Sequence, residues 1–321
     1  MASVLLEVKN LKKHFPVKEG LFKQTKNFNQ AIDDVSLFIN SGETLGLVGE
    51  SGCGKSTLGR CIVKLYQPDR GQILFNGKDV NSQNKTEKKH HHKAVQMIFQ
   101  DPLESLNSRH TIEQILIEPF VIHNIGDYKW RLKQIQILLD QVGLPSDSGS
   151  RYPFEFSGGQ RQRIGIARAI ALGPELIVCD EAVSALDVSI QSQIINLLLD
   201  LQDELNMAYL FISHDLAVVK HFSDRVAVMY LGKIVETADS DTIYKKQKHP
   251  YTKSLIDSIP TPDPHCIKKR IILQGDIPSA INPPSGCHFH TRCPKVMPCC
   301  KINEPAMRLH SSLHSYSCHL D

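Results

Sequence analysis

No stretch of this 321-residue chain approaches the roughly 18–20 consecutive apolar residues needed to cross a bilayer, so a membrane-spanning role is not expected. The opening MASVLLEVKN has no basic start, long apolar run or small-residue cleavage site, and does not read as a secretory signal. A cytosolic location is the expectation, and disulfides are rarely kept there. A net charge of +3 is too slight to argue for nucleic acid or membrane binding by bulk electrostatics. There is no internal repeat. There is also no C-x-x-C pair among the nine cysteines, so the common zinc spacings are missing. What remains, 41% apolar and 22% charged, fits a globular protein with more than one domain.

Short apolar runs bounded by glycine or acids alternate with helical patterns. SVLLEVKNLKKHF, AIDDVSLFIN, ETLGLVG, GQILFNGKDV, KAVQMIFQ, ELIVCDE, AYLFISHD and DRVAVMYLGKIVE read as strands. GLFKQTKNFNQ reads as a solvated loop, and so does KTEKKHHHK, residues 85–93, which lacks interleaved aromatics that would stack on bases. From about Asp101 to Leu172 the period is helical. The expectation is an α/β fold with a mostly parallel core sheet, an antiparallel β part, a helical insert and a small loop-rich C-terminal extension. The expected division is residues 1–100 and 176–237 for the core with its β part, 101–175 for the helical insert and 238–321 for the extension.

GESGCGKST matches G-x-x-x-x-G-K-[ST] between a predicted strand and a predicted helix. Gly49, Gly52 and Gly54 let the backbone curl so that N–H groups of Gly49, Glu50, Ser51, Gly52, Cys53, Gly54, Lys55, Ser56 and Thr57 face a phosphate. The helix N-terminus adds partial positive charge. Lys55 should reach the outer phosphates, and Ser56 should ligate Mg²⁺. The bland reading is a chance glycine-rich turn. LIVCDE ends a buried strand in two acids. Asp180 is placed to support Mg²⁺ and Glu181 to polarise water, although two acids at a strand end also occur by chance. In FSGGQRQRIGIARAIAL, Ser157 suits an N-cap, Gly158 and Gly159 permit close approach to an anion, and Gln160 adds an amide.

This last stretch resembles the signature motif of ATP-binding-cassette ATPases. The remaining motifs of that family are present in order. Gln100 resembles the Q-loop glutamine, which senses Mg²⁺ and water. SALD, with Asp187, resembles the D-loop, and His214 in FISHD resembles the switch histidine. Phe15 resembles the aromatic that stacks on adenine, with Phe22 and Phe28 nearby. The resemblance implies a P-loop NTPase cassette in which ATP is held between one chain's phosphate loop and the signature of a second chain. The family usually has proline after the catalytic glutamate, where this chain has Ala182, so that loop should differ in rigidity.

MIFQDPLESLNSRHTI, YPFEFSGGQRQRIGIARAI, SALDVSIQ and ISHDLAVVKHFSDRVAVMYLGKIVE, with HPYTKSLIDSIP and GDIPSAINPPSGCHFHTRCP in the tail, resemble the ATPase subunits of oligopeptide and dipeptide importers. That resemblance implies ATP hydrolysis at the cytoplasmic face of the membrane, a paralogous ATPase partner, two permease subunits and an extracytoplasmic peptide-binding protein, with no nucleic acid. Nickel, glutathione and sugar importers use closely related cassettes, and soluble cassettes act on nucleic acid or ribosomes.

Cys53, Cys61 and Cys179 read as small packing residues, and Cys266 is assigned nothing. Spacing alone leaves the tail set open between a metal site, a redox or metal sensor, and free thiols. Cys287 and Cys293 have five residues between them, Cys300 follows after six and Cys318 after seventeen. The importer resemblance implies a [4Fe–4S] cluster on Cys287, Cys293, Cys300 and Cys318, with Cys300 rather than Cys299 at the matching place. Zinc is the alternative occupant.

Overall fold

Apolar runs of four to six residues rich in valine, isoleucine and leucine become strands here, and amphipathic stretches between them become helices that open on a capping side chain. The computed structural model describes residues 3–17, 27–101, 105–259 and 275–320. In chain order its elements begin with β1 (Val4–Val17), β2 (Asn27–Asn40), β3 (Thr44–Val48), α1 (Lys55–Ile62), β4 (Arg70–Phe75), β5 (Lys78–Asp79), α2 (Lys85–Ala94) and β6 (Val95–Ile98). Next come α3 (Ile112–His123), α4 (Tyr128–Gln141), α5 (Gly158–Ile170), β7 (Leu176–Asp180), α6 (Val188–Leu205), β8 (Ala208–Ile212), α7 (Leu216–Phe222), β9 (Arg225–Tyr230) and β10 (Lys233–Asp239). The chain continues through α8 (Ser240–Lys245), α9 (Pro250–Asp257), β11 (Arg308–Ser311) and β12 (His314–Tyr316).

The chain forms two compact units. The first comprises Met1–Leu6, Ile39–Thr44 and Phe75–Ile212. Its sheet runs β8, β7, β6, all parallel, with Val95 beside Leu176 and Leu176 beside Ala208. Every residue of β7 and β8 is buried, as expected for parallel strands covered on both faces. Helices α3, α4 and α5 pack on one another, and α5 also packs on β6 and α6.

The second unit comprises Glu7–Phe38, Leu45–Leu74 and Ser213–Asp321. Its sheet is mixed. β3 is parallel to β9, β9 and β10 form an antiparallel hairpin, and β10 pairs antiparallel with β12. The loop-rich extension therefore carries the β11–β12 hairpin that continues this sheet, with Glu236 opposite Tyr316. Strands β2, β1 and β4 lie side by side in a second sheet. Leu58 and Ile62 of α1 are fully buried, which stabilises the helix behind the phosphate loop by roughly 1.5–3 kcal/mol per side chain.

Two sequence expectations change. Residues 85–93 are not a loop. They lie in α2, because Asn84 and Glu87 form a reciprocal capping box, with Glu87 N–H to Asn84 Oδ1 at 3.0 Å and Asn84 N–H to Glu87 Oε2 at 2.9 Å. His91 is buried edge-on against Phe75 at 5.5 Å, so one histidine of this basic run serves packing. Within the expected loop GLFKQTKNFNQ, the chain is strand from Asn27 onward. Phe22 and Cys266 lie outside the described residues.

Candidate functional site

The phosphate loop belongs to the second unit. Strand β3, all five residues buried, delivers the chain to Gly49, and α1 leaves at Lys55. Gly54 is the N-cap of α1 at φ 110°, in the left-handed region, and a Cβ there would meet the Ala31 carbonyl at 2.1 Å. Only glycine fits that backbone and that approach. Among the nine helices of the described residues, α1 alone opens with no side-chain cap, and its first turn carries no acid. An uncapped helix end leaves orphan N–H donors beside the positive end of the dipole, which is an anion seat. Lys55 is 5% exposed, and its Nζ donates to the carbonyls of Gly49 at 2.8 Å and Glu50 at 3.0 Å, so the amine is held at the rim of its own loop. Ser56 and Thr57 follow on the first turn, half-buried, while Ser51 and Gly52 are exposed. Burial pushes the Cys53 thiol up, so it stays protonated within the loop.

Phe15 lies in β1, half-buried, edge-on to Tyr66 with ring centroids 5.3 Å apart, and Lys13 Nζ lies 5.3 Å from its centroid. Phe28 is in β2 and 48% exposed. His214 follows Ser213, whose N–H donates to the Leu47 carbonyl at 3.3 Å, and it is exposed just before the Asp215 N-cap of α7.

The first unit holds the acidic pair. Asp180 ends β7 and is 2% exposed. Glu181 then turns into the left-handed region at φ 50°, a conformation that costs a non-glycine residue on the order of 1–3 kcal/mol. Several bonds hold it there. Its N–H donates to the Ile212 carbonyl at 3.0 Å, and its carbonyl accepts from Ser184 N–H at 3.1 Å and Ser184 Oγ at 3.0 Å. Alanine at 182 lifts the restriction that a proline places on the residue before it. Gln100, exposed two residues beyond β6, donates from Nε2 to Glu181 Oε2 at 3.0 Å. Two residues 81 positions apart are thus brought together as a carboxylate with an amide aimed at it.

The signature segment opens α5. Ser157 and Gln160 form a capping box, with Gln160 N–H to Ser157 Oγ at 3.3 Å and Ser157 N–H to Gln160 Oε1 at 3.0 Å. Gly158 is exposed and Gly159 is buried. Asp187, fully exposed, caps α6 by accepting from Ile190 N–H at 2.9 Å, and that bond holds its carboxyl below the usual range.

The deciding comparison covers the whole chain. The oligopeptide transport ATP-binding protein AppF of Bacillus subtilis is 51% identical over 319 residues, spanning 98% of this chain and 97% of that protein. The chain belongs to the ATP-binding-cassette family. The ABC transporter family matches residues 32–184, and the family described as the C-terminal region of oligopeptide/dipeptide transporters matches residues 235–300. The cassette is also 48% identical to the probable peptide ABC transporter ATP-binding protein y4tS of Sinorhizobium fredii, over all of this chain and 91% of that one. Among solved structures, the dimeric cassette MJ0796 in a post-hydrolysis state with ADP and Pi superposes with a TM-score of 0.65 at 26% identity, covering 74% of this chain and 99% of that one. The cassette is therefore a transport ATPase. No helix among its described residues is long and apolar enough to cross a membrane.

The tail cysteines gather around one backbone contact. Cys287 N–H donates to the Cys300 carbonyl at 2.8 Å. Gly286, at φ 67°, makes that approach possible, because a Cβ there would meet the same carbonyl at 2.4 Å. Burial pushes the Cys287 thiol up to about 11, with the charges of Cys300, Cys318 and Cys293 adding to it. Cys293 and Cys318 are raised by burial first as well. Cys300 and Cys318 are buried, whereas Cys299 is half-buried. The four thiols lie within electrostatic reach of one another, yet among the described residues no three His, Cys, Asp or Glu side chains are arranged to hold a metal ion.

Sequence reading missed the surroundings of Glu50. Arg292 pairs with its carboxylate and Tyr251 accepts its N–H. A lone arginine and a lone tyrosine more than 200 positions away carry no local signal for this.

Proposed function

We propose that this cassette powers import of oligopeptides or dipeptides through a membrane permease. The 51% identity to an oligopeptide transport ATP-binding protein over nearly the full length, tail included, carries the reading. Lys55 and the N–H groups of Gly49 and of Ser51 to Thr57 hold the triphosphate, whereas the Glu50 N–H, expected among them, is donated to Tyr251 Oη. Ser56, Gln100 and Asp180 serve Mg²⁺, Glu181 is the general base, His214 contacts the γ-phosphate, and Phe15 stacks on adenine. Ser157, Gly158, Gly159, Gln160 and Asp187 face the nucleotide of a second, paralogous cassette chain in a head-to-tail pair. The uncapped α1 and the Gln100–Glu181 bond support these roles. The pair sits on two permease subunits at the cytoplasmic face of the membrane and serves an extracytoplasmic binding protein.

The tail thiols Cys287, Cys293, Cys300 and Cys318 are proposed to ligate a [4Fe–4S] cluster, which rests on the importer resemblance and on their gathering. The side chains do not converge on a metal position, so no step of the ATPase is assigned to the cluster. Iron and sulfide analysis after anaerobic purification checks it, and stoichiometric zinc or no metal overturns it.

The functional test is reconstitution in proteoliposomes with the permease chains that co-purify with the cassette. ATP-dependent peptide uptake, lost in Glu181→Gln, is the expected result. Uptake of nickel, glutathione or sugar instead, or ATPase stimulated by nucleic acid with no permease bound, overturns the peptide reading.

A further inference from the structure

Glu50 directly follows Gly49 in the phosphate loop, and both its carboxylate and its backbone N–H are engaged by residues of the C-terminal extension. Its two carboxylate oxygens accept from Arg292, Nη1 to Oε2 at 2.7 Å and Nη2 to Oε1 at 3.0 Å, in a fork-to-fork pair. The Arg292 side chain is 7% exposed and that of Glu50 is 23%, so water screens the pair only weakly. The backbone N–H of Glu50 donates to Tyr251 Oη at 2.9 Å. Tyr251 is fully buried in an aromatic cluster with Tyr230 at 4.6 Å and Phe289 at 5.3 Å, and the Arg292 guanidinium lies over Tyr230 at 6.0 Å. On its other side the loop is tied by Gly232 N–H to the Cys53 carbonyl at 2.9 Å.

This geometry has a consequence for a triphosphate. The loop that must attract about four negative charges contains a carboxylate. Arg292 neutralises it and fixes its direction, while Tyr251 fixes the backbone peptide that starts the curl. We propose that Arg292 and Tyr251 are positioning residues of the ATP site, so that the C-terminal extension is a working wall of the phosphate loop. The inference rests on this loop being the nucleotide seat.

The test uses the full chain and reads KM for ATP, kcat and binding of a fluorescent ATP analogue. Arg292→Ala raises KM about 10-fold, the scale of one lost charge-assisted hydrogen-bond pair, with kcat changed less than about 2-fold. Adding Glu50→Gln to Arg292→Ala recovers most of that loss, because the unpaired carboxylate is gone. Tyr251→Phe keeps the aromatic packing and raises KM about 3-fold by leaving the Glu50 N–H without its acceptor. A purely structural role lowers the melting temperature, leaves KM unchanged and shows no rescue by Glu50→Gln. Should Arg292→Ala fail to fold, Arg292→Gln with and without Glu50→Gln replaces it, and the rescue decides. Lys55→Ala separates the two claims. Unchanged ATP binding in Lys55→Ala overturns the nucleotide seat itself. Loss of binding there, with Arg292→Ala and Tyr251→Phe both at the wild-type KM, overturns the brace alone.

Discussion

Two helices in this protein begin with glycine-rich segments and invite an anion, and they are built differently. Helix α1 has no side-chain cap, and the glycine at its start is demanded by a left-handed backbone and by the Ala31 carbonyl. Helix α5 caps itself, because Ser157 and Gln160 satisfy each other's backbone N–H groups. Neither Gly158 nor Gly159 has a positive φ. Gly159 instead clears space, since a Cβ there would meet Ile190 Cγ2 at 2.5 Å, while Gly158 would make only ordinary contact with Leu186 at 3.6 Å. The first end thus meets none of its opening N–H groups with an N-cap side chain. The second meets two of its four opening N–H groups with its own side chains and exposes Ser157, Gly158 and Gln160 at its start.

The largest effect expected is on turnover. Glu181→Gln lowers kcat roughly 100- to 10,000-fold with ATP binding retained, measured by phosphate release and equilibrium binding. Unaltered hydrolysis removes Glu181 as base and leaves the Gln100 contact without a catalytic meaning. Next, Lys55→Ala weakens ATP binding by the isolated chain roughly 100-fold, from two charge-assisted bonds of about 1.5 kcal/mol each. Ser157→Ala leaves that binding within about 2-fold. Equal losses in the two variants break the contrast between the helix ends. Gly159→Ala costs about 1–3 kcal/mol of stability through the forced shift of Ile190, whereas Gly158→Ala costs less than about 0.5 kcal/mol, both read by denaturant unfolding. Ser157→Ala itself costs about 1 kcal/mol through the lost cap.

The smallest effect concerns a charge cluster within the loop's own unit. Burial would raise Asp33, but its bonds to Lys12 at 2.7 Å and Lys233 at 3.0 Å outweigh that and bring it to about 2. A carboxyl depressed in the folded state stabilises fully above its unfolded pKa of about 4, and the contribution is lost as pH falls through 2. Asp33→Asn therefore costs about 1 kcal/mol at pH 7 after allowance for solvent screening, and the difference from wild type closes between pH 4 and pH 2. A difference that grows on acidification assigns Asp33 the opposite sign.

The sheet strands, the phosphate loop, the Ser157 cap and the Asp180–Glu181 strand end were legible, because each is written within about ten residues. The capping box at Asn84 and Glu87 was legible in principle as N-x-x-E, but the run of lysines and histidines after it looked like a solvated loop. The left-handed turn at Glu181 was not legible, because three separate backbone and side-chain bonds impose it. Nor was the pairing of β12 with β10, since a three-residue strand leaves too short a pattern to read. The partners of Glu50 and Phe15, namely Arg292, Tyr251 and Tyr66, depend on tertiary contact alone.

The Glu50–Arg292 bond joins positions 242 apart, and the Glu50–Tyr251 bond joins positions 201 apart. On a ribosome adding about 5–20 residues per second, the phosphate loop emerges roughly 12–50 s before the arginine that completes it. Contacts of such long range form late in folding as well. A nascent or truncated cassette would therefore carry a recognisable phosphate loop with an unneutralised carboxylate, and would be a poor competitor for ATP. With the proposed brace, full-strength nucleotide capture waits for an arginine made late in the chain.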